Sequence, residues 1–568
     1  MLRRLLHKMN YIKLNAKVLF YLFIGANLLP VFFLFFSEPY NSVGKLLLLI
    51  LPFGFFTSLL SLHKRVGLMQ LFLLPFFFFH AFQLVVFTLF KEDVIAVDMF
   101  LNLATTNASE AGELLGSILL PTIIICAIYI AIIFITILSF RKKETYPTSF
   151  LKKNLGIGLT SLLISLPLLL FAKDINTNRF TIYEDIYPAN VLYNMGFAIN
   201  KLNKIHNYTK TSQDFSFHAS KEQLSTQREI YILIIGETSR ANNWSLYGYN
   251  RPTNPLLSND TSVIHFNDAL TQSNTTHKSV SILLSAASAE NYNCIYSQKS
   301  LIESFKESGF TTVFLSNQAK NNSFIEYFGK EADYLEYYRS GHTNTNHFDE
   351  ILLTRLQHYI QSVPNNLLVV MHTYGSHFNY SERYPKKYAH FTPDKFPSID
   401  KTNRSNMINA YDNSILYTDY FLHSIGQIVE QSNSCASYLF ISDHGEDIMD
   451  DDRERFLHAS PNPTYYQLRV PLITWFSSGY QQTYPTKYKT AKKNCNKPIS
   501  SSMVFHTFLD IADIKTKYLK QENSFVNEQF QISKRMYLGD HDNPIPFYQT
   551  NLKKQDKIMF LKNGLSLD

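Results

Sequence analysis

The stretch Glu229-Ile-Tyr-Ile-Leu-Ile-Ile-Gly236-Glu237-Thr238-Ser239-Arg240 decides how this chain is read. Its apolar residues run without alternation from Ile230 to Ile235, the pattern of a strand covered on both faces. The run stops at a glycine, a carboxylate and two hydroxyls. In open α/β sheets ligands bind just outside the carboxyl ends of the strands, where backbone and side chains converge on one crevice. Taken alone, Glu237 reads as a helix cap held by exposed amides and the helix dipole. A functional reading needs partners from elsewhere in the chain.

Further strand-length apolar runs occur near 311 to 315, 367 to 371, 437 to 442 and 470 to 475. Between them lie segments with helical spacing, such as Leu301 with Phe305, or Leu352, Leu356 and Ile360. Strands alternating with helices predict parallel pairing with both faces covered, so residues 223–568 are expected to form an α/β domain.

The N-terminal part is a different material. At 568 residues the chain is too long for one ordinary core, and residues 1–172 are dominated by Leu, Phe and Ile. Five apolar segments, near 18 to 36, 46 to 62, 66 to 90, 116 to 138 and 154 to 172, approach the roughly 20 residues that cross a hydrocarbon core. Lys and Arg collect before the first (Arg3, Arg4, Lys8, Lys13, Lys17), between the second and third (Lys64, Arg65) and between the fourth and fifth (Arg141, Lys142, Lys143, Lys152, Lys153). The alternate loops hold mainly acids. Positive loops stay inside, which predicts a multi-pass anchor with its N-terminus in the cytoplasm and everything after Lys173 outside. Residues 173–222, polar and aromatic without a clean period, read as a linker with interfacial helices. A net charge of +7 with no Lys/Arg-rich block argues against nucleic acid as a partner. Cys294, Cys435 and Cys495 lie in the external part, where disulfides are permitted; Cys435 with Cys495 is one pairing among several, and free buried thiols are the alternative.

The partners for Glu237 come from three places. Tyr438-Leu439-Phe440-Ile441-Ser442-Asp443-His444-Gly445-Glu446 is a second strand ending in acids and glycine, and Asp443 with His444 brings a carboxylate and an imidazole to one mouth. Asp, Glu and His are the usual mixed oxygen and nitrogen ligands of zinc; for the Asp-His pair alone a strand-end turn is as good a reading. Thr275-Thr276 precedes the helical run Ile282 to Ala287, which puts a hydroxyl at a helix N-terminus. That is an N-cap in the ordinary case, and a nucleophile if a metal lies beside it. His372 ends a strand, His377 follows in Thr373-Tyr374-Gly375-Ser376-His377, and His458 comes after an acidic loop. Each alone reads as structural; together, at strand ends and beside the Asp-His pair, they point to one site. In the outer loop from 91 to 115, Asn102, Thr106 and Glu110 are spaced for one helical face, which a solvated polar stripe would equally explain.

These residues resemble the membrane-anchored phosphoethanolamine transferases of Gram-negative bacteria, which share the alkaline phosphatase and sulfatase fold. The resemblance rests on the five apolar segments, the outer loop, Gly236-Glu237-Thr238-Ser239-Arg240 with Tyr249 to Pro255, Thr276 before Ser279-Val280, Gly375-Ser376-His377, Asp443-His444-Gly445-Glu446 and Leu457-His458. It implies that Glu237, Thr276, Asp443 and His444 hold a zinc ion, with Thr276 as the nucleophile. It implies that His377 and His458 face the phosphate or a second zinc, and that Asn102, Thr106 and Glu110 touch the lipid headgroup or the acceptor. Two carboxylates, a hydroxyl and one imidazole would also suit Mn²⁺. The implied donor is phosphatidylethanolamine, the acceptor a glycolipid or glycan such as lipid A or lipopolysaccharide core, and the place the bacterial inner membrane with the catalytic domain in the periplasm. Ser281 departs from the family's proline after Ser-Val, cysteines flanking the nucleophile are largely missing, and Lys320 does not align with a family lysine near the donor. The nearest rival is a phosphoglycerol transferase of the lipoteichoic-acid type; an inactive relative serving as an envelope sensor is another. A sulfatase proper would carry Cys/Ser-x-Pro-x-Arg, which is absent around Thr276.

Overall fold

A computed structural model describes residues 15–105, 112, 118–175, 178–221, 227–339 and 347–567. The chain divides into two units, one of Met1–Phe100 with Ile118–Ala198 and the other of Leu101–Ser117 with Ile199–Asp568.

The first unit is helical: α1 (Ala16–Ser37), α2 (Ser42–Leu60), α3 (Leu68–Phe72), α4 (Leu74–Phe90), α5 (Val97–Thr105), α6 (Leu119–Arg141), α7 (Thr148–Leu168) and α8 (Ala189–His206), with the division between units falling inside α5 and α8. Asn15 and Asn41 cap α1 and α2, their side chains accepting from Lys17 N at 2.9 Å and Gly44 N at 2.8 Å. Among the described residues three helices, α1, α2 and α6, are long and apolar enough to cross a membrane. The segment expected to run from 66 to 90 is broken at Leu73, and α4, with 17 residues, begins with Pro75 in its first turn. Proline has no N–H to continue the ladder of α3, yet fits a first turn, where that N–H has no partner. The last long helix starts at Thr148 rather than 154 and carries Lys152 and Lys153. It lies tightly against α2: a Cβ added at Gly54 would come within 2.9 Å of Gly158 O, so glycine is what permits the approach. A polar cluster is buried among α1, α3 and α4, where Asn27 Nδ2 donates to Gln70 Oε1 at 3.0 Å and His80 pairs with Asn27 Oδ1 at 3.2 Å and with the Tyr187 hydroxyl.

The second unit is built on a seven-stranded sheet: β1 (Glu229–Gly236), β2 (Val263–His265), β3 (Thr311–Ser316), β4 (Tyr334–Tyr337), β5 (Leu367–His372), β6 (Cys435–Ser442) and β7 (Leu472–Phe476), in the spatial order β2-β7-β6-β1-β5-β3-β4. All eight residues of β1 are buried, because helices cover both faces. Tyr231, Leu233 and Ile235 join one core with α9 (Thr276–Leu284) and, further along, residues 503–511. On β7, α10 (Arg404–Glu430) approaches Trp475 so closely that a Cβ at Gly426 would lie 3.1 Å from its indole nitrogen.

β1 pairs in parallel with β5 and β6, and β3 with β4 and β5, as the alternation predicts. β7 runs antiparallel to β6. The segment 443–471 between them contains no crossover helix long enough to return the chain to the starting edge, so the next strand leaves from the edge where β6 ended. Short strands β2 and β4 had no strand-length apolar run to announce them. The four cysteines are free, so the Cys435 with Cys495 pairing is not formed.

Candidate active site

The carboxyl edge of the sheet gathers the predicted residues by register. Gly236 lies opposite Ser442, and Ile235 opposite both Ile441 and His372, so the residues just past β1, β5 and β6 emerge side by side. Glu237 is held from below by the turn after β5. Ser376 N donates to Glu237 O at 3.0 Å, and Gly375, at φ +51°, sits where any Cβ would be 2.8 Å from that same oxygen. The turn is itself pinned by Asp349, which accepts from Tyr374 N at 2.8 Å and Gly375 N at 3.0 Å.

Asp443 accepts from Thr238 N at 3.1 Å and His444 N at 2.7 Å through Oδ1, whereas its Oδ2 is buried without a hydrogen-bond partner. His444 Nδ1 lies 3.0 Å from Gly445 O. That contact keeps the ring proton on Nδ1 and leaves the Nε2 lone pair, 3.2 Å from Asp443 Oδ2 and 3.8 Å from Glu237 Oε1, directed into the cluster. Ligand atoms of Glu237, Asp443 and His444 lie within 4.8 Å of one another, all three residues buried. Thr276, first residue of α9, places Oγ1 3.3 Å from Glu237 Oε1 and 3.1 Å from His444 Nε2. The capping explanation for the threonines does not apply, since α9 has no side-chain cap hydrogen bond. Lys278 Nζ, donating to Gly539 O at 2.8 Å, fixes the first turn of α9 from behind.

Two buried carboxylates and an unprotonated imidazole nitrogen within such a distance suit a divalent cation. A carboxylate oxygen taken out of water with no donor is costly unless paired or metal-bound. Asp443 Oδ2 is such an oxygen, and the fixed tautomer of His444 supplies the matching nitrogen.

Around this cluster one pocket is lined by Glu237, Thr276, His372, His377 and His458, together with Asn102 and Thr105 at the end of α5. Thr106 and Glu110 lie outside the described residues. His377 Nδ1 is 2.6 Å from Phe378 O, and burial, with the Arg383 guanidinium and His458 adding to it, holds its pKa well below the usual imidazole range. His458 Nδ1 is 3.1 Å from Glu446 Oε2, and its ring centroid is 4.1 Å from that of His444. Burial pushes His458 down to about 4 and Glu446 up to about 8, and the Tyr380 hydroxyl donates to the other oxygen of Glu446. Both pocket imidazoles are therefore uncharged near neutral pH, and His377, whose Nδ1 faces Phe378 O, has Nε2 able to accept a proton.

Of this pocket, sequence reasoning grouped His372 with the other site histidines but gave it no role, and it missed Gln318 altogether. His372 is 2% exposed, neither ring nitrogen has a hydrogen-bond partner, and Nε2 is 3.8 Å from Glu237 Oε2. Gln318 Nε2 donates to Glu237 Oε2 at 3.4 Å and Thr373 O at 2.9 Å. The signal for His372 was its place as the last residue of a strand; for Gln318, just past β3, there was none of comparable strength.

Comparison with known proteins places the chain by sequence and fold. Phosphoethanolamine transferase EptA of Escherichia coli strain K12 is 25% identical over 453 residues, covering 78% of this chain and 82% of its own. The solved lipooligosaccharide phosphoethanolamine transferase A from Neisseria meningitidis, an integral membrane protein, shares the fold at TM-score 0.71 and 20% identity, over 90% of this chain and 98% of that one. The C-terminal periplasmic domain of EptC from Escherichia coli, solved in complex with zinc, aligns at TM-score 0.55 and 25% identity over 60% of this chain and 97% of its own. The family profile "Sulfatase" matches residues 229–514, half of the sequence, which begins at β1 and takes in every strand of the sheet. The chain belongs to the sulfatase family.

Proposed function

We propose that this protein transfers phosphoethanolamine from phosphatidylethanolamine to an envelope glycolipid acceptor, with lipid A or lipopolysaccharide core as the class. The observation that carries the reading is the Thr276 hydroxyl at the N-terminus of α9, 3.1 Å from His444 Nε2 and 3.3 Å from Glu237 Oε1. Such a hydroxyl is placed to attack phosphorus and to carry the group covalently. Glu237, Asp443 and His444, with Thr276 itself, would hold the metal, for which zinc is the first candidate and Mn²⁺ the second. When bound, the cation would favour ionisation of the coordinated hydroxyl, as zinc lowers the pKa of water from about 15.7 to about 7, and would offset charge on the phosphodiester.

In the first step Thr276 Oγ1 forms a bond to phosphorus, the bond from phosphorus to the diacylglycerol oxygen breaks, and that oxygen takes up the proton Thr276 gave up. In the second step an acceptor oxygen bonds to phosphorus, the bond from phosphorus to Thr276 Oγ1 breaks, and the acceptor's proton passes by way of a pocket imidazole to Thr276 Oγ1. His377 and His458 are suited to these transfers because each has Nδ1 engaged, by Phe378 O and Glu446 respectively, which leaves Nε2 for the substrate. The amides at the start of α9 favour negative charge at the same place. Asn102, with Thr106 and Glu110, would contact the donor headgroup or the acceptor.

A site acting on a phospholipid that stays in the bilayer is served by membrane anchorage. Five spans in the inner membrane, with residues 1–172 as the anchor, 173–222 as an interfacial linker and 223–568 as the catalytic domain in the periplasm, fit the alternation of basic and acidic loops. The test is a donor assay on the full-length protein in lipid bilayers. Labelled phosphatidylethanolamine should yield diacylglycerol and a labelled glycolipid, while phosphatidylglycerol should yield neither. Release of diacylglycerol from phosphatidylglycerol alone would replace this reading by a phosphoglycerol transferase.

A further inference from the structure

The C-terminal helix Lys554–Lys562, α11, presents an outward face unlike that of an ordinary surface helix. Its inner side is fully accounted for. Phe560 is buried in a small core with Tyr465, Leu468 and Phe547, and Asp556 is buried against Arg453, with contacts of 2.6 Å and 2.8 Å. The outward side holds Lys554, Lys557, Ile558, Leu561 and Lys562, spaced i, i+3, i+4, i+7, i+8, which is a single stripe. Leu561 is 76% exposed, more than any other large apolar side chain described in the second unit, and Ile558 is 50% exposed.

At 3.6 residues per turn, Leu561, Lys554 and Ile558 occupy the middle of this stripe and Lys557 and Lys562 its two margins. No acidic side chain shares the face, since Asp556 points inward. Apolar side chains bracketed by lysines are what a lipid surface selects. The apolar groups enter the acyl boundary while the flexible lysine stems carry their ammonium groups up to headgroup phosphates. We propose that α11 is a peripheral membrane contact of the second unit, and that its occupant is a bilayer surface containing anionic phospholipid. Three like charges with no acid among them match that surface by sign. This contact is separate from the helices of the first unit and does not depend on the transfer reaction.

The test uses the full-length protein in nanodiscs of phosphatidylcholine, with or without phosphatidylglycerol, and the variant Leu561→Trp. The native Trp244 and Trp475 are buried and give a constant background. In discs containing phosphatidylglycerol the new indole should emit to the blue and be quenched by acyl-brominated lipid. Replacing Lys554, Lys557 and Lys562 by Glu in that background should lower the lipid-contacting fraction by about fivefold or more for each charge, as the worth of one lysine at an anionic surface implies. A tryptophan at 561 quenched only by an aqueous quencher in every bilayer would overturn the proposal, and so would capture of an acidic protein that protects it without lipid. Donor turnover with the unaltered site serves as the control for folding.

Discussion

Each of the two units buries a polar cluster, and the two clusters are built on opposite terms. In the helical unit the neutral side chains Asn27, Gln70, His80 and Tyr187 hydrogen-bond to one another, amide to amide and imidazole to phenol, with only Gln70 Nε2 among them left without a partner. Where no water is at hand, mutual hydrogen bonding is the way such groups are buried, and neutral groups call for no counter-charge. At the edge of the sheet the buried groups are carboxylates with one oxygen unpartnered, an imidazole lone pair turned toward them, and a hydroxyl between. That cluster is incomplete by charge as well as by hydrogen bonding. The lesson is that burial of polar groups separates a structural from a functional centre only when signs and lone pairs are counted.

The sharpest way to break the comparison is Thr276→Ala. It removes an oxygen from the charged cluster and no ligand carboxylate. Turnover should fall by about 10⁴-fold or more, on the scale of losing a nucleophile, while bound metal measured by elemental analysis stays near stoichiometric. Retention of full transfer with normal metal content would remove Thr276 from the mechanism. Next comes Asp443→Asn, which should act with opposite signs. Metal content and turnover should collapse, yet the metal-free protein should be stabilised by about 1–3 kcal/mol in denaturant unfolding, because a buried carboxylate oxygen without a donor has become an amide. In Asn27→Leu the sign is reversed: a neutral hydrogen-bonded cluster loses the member that links Gln70 to His80, for a cost of about 1 kcal/mol and no change in metal content.

His506 provides a pH probe away from both clusters. Burial, helped by Lys520, pushes it down to about 4. A histidine with a depressed folded-state pKa binds its proton in the unfolded chain first, so stability is full above about 6.5 and declines as pH falls toward 4. Replacing His506 by Gln should flatten that decline by up to one proton in the slope, read from urea midpoints across the range. An unchanged slope would mean that His506 is protonated in the fold.

Much of this was legible in residue order because strand ends announce themselves. Ile230 to Ile235 predicts a covered strand, and Gly236-Glu237 and Asp443-His444 stand where such strands stop. Thr276 was identifiable from the helix that follows it. His372 was noted as a strand-end histidine without a role, and Gln318 was missed, because their proximity to Glu237 comes from strand neighbours β5 and β3, which lie far from it in the chain. The direction of β7 was missed because parallel pairing was inferred from alternation, and the segment before β7 is a loop that stays at one edge.

What the sequence by itself determined is the list of parts: a hydrophobic N-terminal third, buried strands alternating with helices, and acids, imidazoles and a hydroxyl at element ends. Periodicity and composition are local properties, and a local reading recovers them. Which of those parts meet was decided by tertiary structure alone. Register across β1, β5 and β6 brings residues more than two hundred positions apart within hydrogen-bonding range, and only that packing leaves Asp443 Oδ2 without a donor while the His444 Nε2 lone pair faces it.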